Sequence, residues 1–92
     1  MIRNFKHRGL KRLYARGDRS GLRPDIAGKA ELYLSILDTA VRVEELDVTG
    51  FGFHPLRGDK RGLYSVYVSR NHRIIFGFED GEAFDVDLVD YH

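Results

Sequence analysis

The sequence predicts an α+β fold, with two N-terminal helices packed on one face of a mainly antiparallel sheet of four to five strands. Three observations predict it. Apolar residues recur at helical spacing through the first forty positions. The period then changes to two after Glu44-Glu45-Leu46-Asp47, and Gly, Asp and Asn punctuate the remainder into strand-length pieces.

Ile2 to Lys6 suits a short opening strand. Leu10, Leu13 and Tyr14 then follow helical spacing until Gly17, giving a short helix that is basic outside. Residues 17 to 24 have the Gly, Ser and Pro content of a loop, and Pro24 suits the first position of a second helix. From Asp25 onward Ile26, Ala30, Tyr33, Leu34, Leu37, Ala40 and Val41 form one continuous apolar stripe, which should lie across a sheet.

Four strands are predicted beyond that helix, over residues 51 to 55, 63 to 68, 73 to 78 and 83 to 89. Asp80-Gly81 supplies a tight turn between the last two. Alternation assigns Tyr64, Val66, Val68, Ile74, Phe76, Phe78, Phe84, Val86 and Leu88 to the helix-facing side. Ser65, Tyr67, Arg73, Ile75, Asp85 and Asp87 fall on the opposite, more polar side, where a substrate could dock.

Length and composition bound the rest. At 92 residues there is room for one domain, residues 1 to 92, and 42% hydrophobic content is enough for its core. The chain has no cysteine, so it holds no disulfide and no thiolate metal site, and its nucleophile is not a thiol. Charge begins at Arg3, and no apolar run reaches the length of a signal or membrane segment, so a cytoplasmic protein without membrane contact is expected.

A formal net charge of +1 conceals a strong asymmetry. Residues 1 to 30 hold nine basic side chains against two acidic ones, and residues 54 to 73 hold five against one, while residues 79 to 92 carry six carboxylates and no Lys or Arg. A polyanion would be steered to one side of such a molecule.

No cofactor is indicated: Gly50-Phe51-Gly52-Phe53 lacks the form of a phosphate-binding loop, and His7, His54, His72 and His92 are too scattered for a paired metal motif. More informative is the stretch from Phe53 to Gly62, which sets His54 and the cations Arg57, Lys60 and Arg61 around a glycine-bounded turn. Arg70 and Arg73 flank Asn71-His72, and the chain closes on Asp90-Tyr91-His92.

These motifs carry a resemblance. His-Pro-Leu-x-Gly-Asp from His54, Asn-x-Arg-Ile from Asn71 and the closing Asp-Tyr-His are similar in order and spacing to the HigB toxins, or plasmid-maintenance killer proteins, of the RelE/ParE superfamily. The opening Ile-x-x-Phe-x-His and the Leu-Asp-Thr-Ala that ends the long helix extend the likeness over the whole chain.

The resemblance implies a RelE-like fold and a metal-independent, ribosome-dependent endoribonuclease that cuts messenger RNA by attack of a ribose 2′-OH on the adjacent phosphate. It implies catalytic roles for His54, Arg73, Tyr91 and His92. Arg57, Lys60, Arg61, Arg70 and Asp90 are expected to bind phosphate or RNA. A HigA-like helix-turn-helix antitoxin is the implied partner, through which alone the toxin would reach operator DNA.

Such an attack needs the 2′-OH deprotonated or polarised, the leaving 5′-oxygen protonated and the phosphorane charge stabilised. His54 and His92 are the natural proton carriers, in either order. Arg73 can grip two phosphate oxygens, although it could instead pair with Asp85 or Asp87 across the sheet. Tyr91 could orient the phosphate or stack on a splayed base.

Two positions depart from the family pattern. Many relatives have lysine where this chain has Arg57, and arginine cannot act as general base. His72 stands where relatives usually have tryptophan. Two rivals remain open on sequence alone: a ParE-like toxin that acts by binding a target protein, and a basic nucleic-acid-binding module.

Overall fold

The computed structural model describes residues 1 to 91. Helix α1 (Arg8–Arg16) begins where His7 Nδ1 accepts the Leu10 N–H at 3.2 Å. It ends at Gly17, whose φ of 67° lets its N–H reach back to the Leu13 carbonyl at 2.9 Å. Helix α2 (Pro24–Thr39) opens on proline and buries Ile26, Ala27, Ala30, Tyr33, Leu34 and Leu37.

The apolar stripe continues past the end of α2. Ala40 is buried outside the helix and Val41 is exposed, because Glu45 Oε1 accepts the Val41 and Arg42 N–H groups at 2.6 and 3.1 Å. Those two bonds draw the backbone into a 3₁₀ turn, Val43–Leu46, and hold the Glu45 carboxyl below the usual carboxylate range.

The sheet is an antiparallel meander in the order β1 (His54–Pro55), β2 (Leu63–Tyr67), β3 (His72–Glu79) and β4 (Glu82–Asp90). Strand β1 is shorter than its sequence suggests. Gly50 and Gly52, at φ 95° and 57°, leave the extended region and break the strand before His54.

Phe84 is turned to the other side from the one alternation predicts. Ile75 pairs with Asp87 but Gly77 pairs with Phe84, so β4 holds one extra residue at Asp85, which adopts φ 51°. This bulge reverses the phase, and Ala83 replaces Phe84 in the core. Phe84 instead lies over Gly77, where an added Cβ would stand 2.2 Å from the ring, and under the Arg3 guanidinium at 5.2 Å.

The opening strand is reduced to two parallel bridges beside β4, Ile2 to Ala83 and Phe5 to Val86. The bulge lies between them, tied to Asn4 by Asn4 Nδ2 donating to Asp85 Oδ1 at 2.8 Å and the Asp85 N–H donating to Asn4 Oδ1 at 3.0 Å.

Helices and sheet meet over Leu10, Leu13, Leu37, Val66, Ile74, Phe76 and Val86, with Tyr33 at the centre. Its ring centroid lies 4.9 Å from that of Phe51 and 5.9 Å from that of Phe76, and its hydroxyl donates to the Leu46 carbonyl at 2.8 Å. Each such side chain contributes about 1.5–3 kcal/mol on burial. Among the described residues no helix is long and apolar enough to cross a membrane.

Candidate active site

Helices cover one side of the sheet and leave the other to the site. Register sets its residues in rows: Tyr67, Arg73 and Val89 across β2, β3 and β4, and His54, Ser65, Ile75 and Asp87 across all four strands. Tyr91 follows Val89 by two positions and so keeps to the same side, held by its N–H donating to the Asn71 carbonyl at 2.5 Å.

Arg73 lies between two aromatic rings. Its guanidinium carbon is 4.2 Å from the Tyr67 ring centroid and 4.4 Å from that of Tyr91. The alternative pairing with Asp85 or Asp87 does not occur, and among the described residues Arg73 makes no ion pair. Asp85 is held by Asn4, and Asp87 Oδ1 accepts the Leu88 N–H at 2.9 Å. Both rings lie within cation–π distance of the guanidinium, which leaves its charge and N–H donors available to an anion.

The sequence placed Tyr67 on the docking side but gave it no catalytic or binding role. Its signal was positional, since it is directly opposite Arg73 once the β2–β3 register is known. Gly52 makes room for it: an added Cβ there would stand 2.5 Å from Tyr67 Cδ2.

His54 is half-buried on β1, with Nδ1 3.0 Å from the Gly52 carbonyl oxygen. A carbonyl only accepts, so Nδ1 carries a proton and Nε2 is left for substrate. The sheet spacings place His54 and Arg73 about 12 Å apart at Cα, two strands across and one row along. Two side chains projecting from those positions can reach toward one phosphodiester. Between them Ser65 is fully buried, and its Oγ has no hydrogen-bond partner among the described residues.

Arg57, Lys60 and Arg61 are exposed on the β1–β2 loop, around a 3₁₀ turn at Gly58–Lys60. They lie beyond the Leu63 end of β2, while Arg70, also exposed, sits in the β2–β3 turn at the Arg73 end. The cations therefore flank the His54 to Arg73 track at both ends.

Asp90 is placed apart from the Arg73 stack. It is out of phase with Tyr91 and pairs with His72, its Oδ2 3.9 Å from His72 Nε2, while His72 Nδ1 lies 2.9 Å from Ser69 Oγ. His92, the fourth predicted catalytic residue, lies outside the described residues. No group of three or more His, Asp or Glu side chains is placed to hold a metal ion among the described residues.

Comparison with known proteins bears on this arrangement. Residues 3–92 match the model of a family described as the RelE-like toxin of type II toxin–antitoxin system HigB. The chain is also 39% identical over 92 residues, the full length of both proteins, to the endoribonuclease HigB of Proteus vulgaris. With the α+β fold and the His54 to Tyr91 face in place, the chain belongs to the HigB family of RelE-like toxins of type II toxin–antitoxin systems.

Proposed function

We propose that this toxin is a metal-independent endoribonuclease that cuts messenger RNA on the ribosome. The observation that carries the reading is Arg73 beside the rings of Tyr67 and Tyr91, with no carboxylate paired to it among the described residues, on the sheet face that the helices leave open.

The 2′-OH attacks the adjacent phosphorus, its proton passes to one imidazole, and the 5′-oxygen leaves with a proton from the other. His54 and His92 fill these two roles. The products are a 2′,3′-cyclic phosphate and a 5′-OH, so atoms balance without water or metal. Arg73 binds the phosphorane oxygens as charge builds on them, and its clamped geometry means little reorganisation is needed at that moment. Tyr91 fixes one face of the guanidinium and presents its hydroxyl to the phosphate. Arg57, Lys60, Arg61 and Arg70 hold the RNA on either side, and Arg57 acts only through charge. Asp90 acts beside His72, at the edge of this surface.

A toxin of this class has an antitoxin partner, which we propose to be a HigA-like helix-turn-helix protein that carries the pair to operator DNA. The test is a toeprint on translating ribosomes. Codon-positioned cuts that fall about 10²–10³-fold in rate for Arg73→Ala support the reading. Growth arrest undiminished in Arg73→Ala would assign the toxicity to target binding, as in a ParE-like toxin.

A further inference from the structure

The β3–β4 ladder ends on the pair His72 and Asp90, and the turn that enters β3 meets the end of β4 at two points. The Tyr91 N–H donates to the Asn71 carbonyl, and His72 Nε2 lies 3.9 Å from Asp90 Oδ2. The His72 backbone is fixed by the turn itself, since its carbonyl accepts the Val68 and Ser69 N–H groups at 3.0 and 3.4 Å. Its ring is fixed by Ser69, whose Oγ is 2.9 Å from Nδ1. The His72 side chain is 13% exposed and that of Asp90 49%, so the imidazole is the rigid member of the pair and the carboxylate is the one that is steered.

These contacts decide which nitrogen carries the proton. A serine hydroxyl donates or accepts, so Ser69 suits either tautomer. The carboxylate suits one, because a bare Nε2 would set one acceptor against another. In the neutral ring Ser69 therefore donates to Nδ1, and the proton sits on Nε2, aimed at Asp90. In the charged ring both nitrogens are donors and the hydroxyl turns to accept. Nε2–H faces the carboxylate in both states, and at 3.9 Å the attraction is electrostatic rather than a direct hydrogen bond.

Alternation gives this pair its consequence. His72 and Asp90 lie on the helix-covered side of the sheet, and Arg73, Val89 and Tyr91 on the open side. With Asp90 held at the back, Tyr91 points forward, where its ring centroid is 4.4 Å from the guanidinium carbon of Arg73. A slip of one residue at this end of β4 would reverse both, bringing Asp90 opposite Arg73 and turning Tyr91 away. Opposite charges on one side of a sheet attract, so Arg73 itself favours the slip, and the last pair of a ladder opens readily. Yet among the described residues Arg73 makes no ion pair.

We propose that His72, backed by Ser69, is a positioning residue for RNA cleavage: it holds Asp90 behind the sheet, which keeps Tyr91 on Arg73 and the carboxylate off it. The proposal rests on the reading of Arg73 and Tyr91 as catalytic given above.

The test uses two amides that each keep one half of the imidazole. In His72→Gln the amide nitrogen stands near the place of Nε2 and can donate to Asp90, whereas in His72→Asn it stands near Nδ1 and reaches only Ser69. Both are compared with the parent in single-turnover cleavage on mRNA-loaded ribosomes. They are also compared in the NMR position of the Arg73 Hε proton, which the Tyr91 ring current displaces and Tyr91→Leu calibrates. His72→Asn should cut about 3- to 20-fold more slowly. Its half-saturating ribosome concentration should stay within about twofold of the parent value, because His72 does not touch the RNA. Its Arg73 resonance should move toward the Tyr91→Leu position. His72→Gln should stay near the parent on every count, which a folding defect would not allow. Asp90→Leu should move the resonance as far as His72→Asn does, and the double variant no further.

A glutamine variant as slow as the asparagine one overturns the proposal. So does an asparagine variant that cuts at the parent rate, or one that cuts slowly with its Arg73 resonance unmoved, which assigns His72 to the RNA or to the turn. Additive displacements in the double variant overturn it as well. If Arg73→Ala cuts at the parent rate, or Tyr91→Leu leaves the resonance in place, the reading of the catalytic face fails and this one with it. Slow cutting by Arg73→Ala beside parental cutting by His72→Asn overturns the His72 assignment alone.

Discussion

The Tyr91 ring centroid lies 4.4 Å from the guanidinium carbon of Arg73, and that of Tyr67 lies 4.2 Å from the same carbon. Among the described residues the cation is thus held by two rings rather than by a carboxylate, which keeps its charge available to a phosphate.

Tyr67 should therefore act through Arg73. A cation–π contact of this kind contributes about 0.5–2 kcal/mol, so Tyr67→Leu should slow single-turnover cleavage by about 2- to 30-fold. Tyr67→Phe keeps the ring and should stay near the parent rate. Equal losses in the two variants would mean that the hydroxyl, and not the ring, carries the effect.

Removing the Ser65 hydroxyl should stabilise the fold. Its Oγ is buried without a partner among the described residues, and relieving such a group is worth about 1 kcal/mol. Ser65→Ala is expected to raise the thermal midpoint by about 4–8 °C. A lower midpoint would show that the hydroxyl is satisfied in solution.

Gly77 and Phe84 should behave as a coupled pair. Gly77→Ala pushes a methyl group into the Phe84 ring and should cost about 1–3 kcal/mol, measured by urea unfolding. In a Phe84→Ala background the same change should cost little, which a double-mutant cycle resolves. Additive effects would place the strain in the backbone.

Alkaline pH should weaken the fold through Tyr33. Burial, and to a lesser degree the charge of Asp47, push its phenol well above the ordinary tyrosine range. Because the folded-state value is the higher one, the stabilisation is fully present below about pH 10 and is lost as pH rises beyond it. Urea midpoints at pH 9, 10 and 11 should decline accordingly, and less steeply in Tyr33→Phe. Tyr14, raised mainly by its hydrogen bond to Asp38, contributes a smaller share from its exposed position.

Local signals made most of this fold legible. Gly17 and Pro24 mark helix ends because each acts through its own backbone, and the Asp80-Gly81 turn and the alternation in β2 and β3 are equally local. Phe84 was assigned to the wrong side because the bulge at Asp85 is tied to Asn4, eighty-one positions away. Of the candidate site, His54 and Arg73 could be read from motifs and from strand phase. Alternation put Tyr67 on the same side but did not show its contact with Arg73, which depends on register with β3 and on the missing side chain of Gly52.

The bridges of Ile2 to Ala83 and Phe5 to Val86 join regions at opposite ends of the chain, whereas the meander is built from neighbours. Closing so long a loop carries the largest entropic cost of any pairing here, so the first residues should dock late in folding and release first. Amide exchange at Arg3 and Lys6 should then outpace that of the central strands, as a latch that opens while the barrel of the lock stays shut.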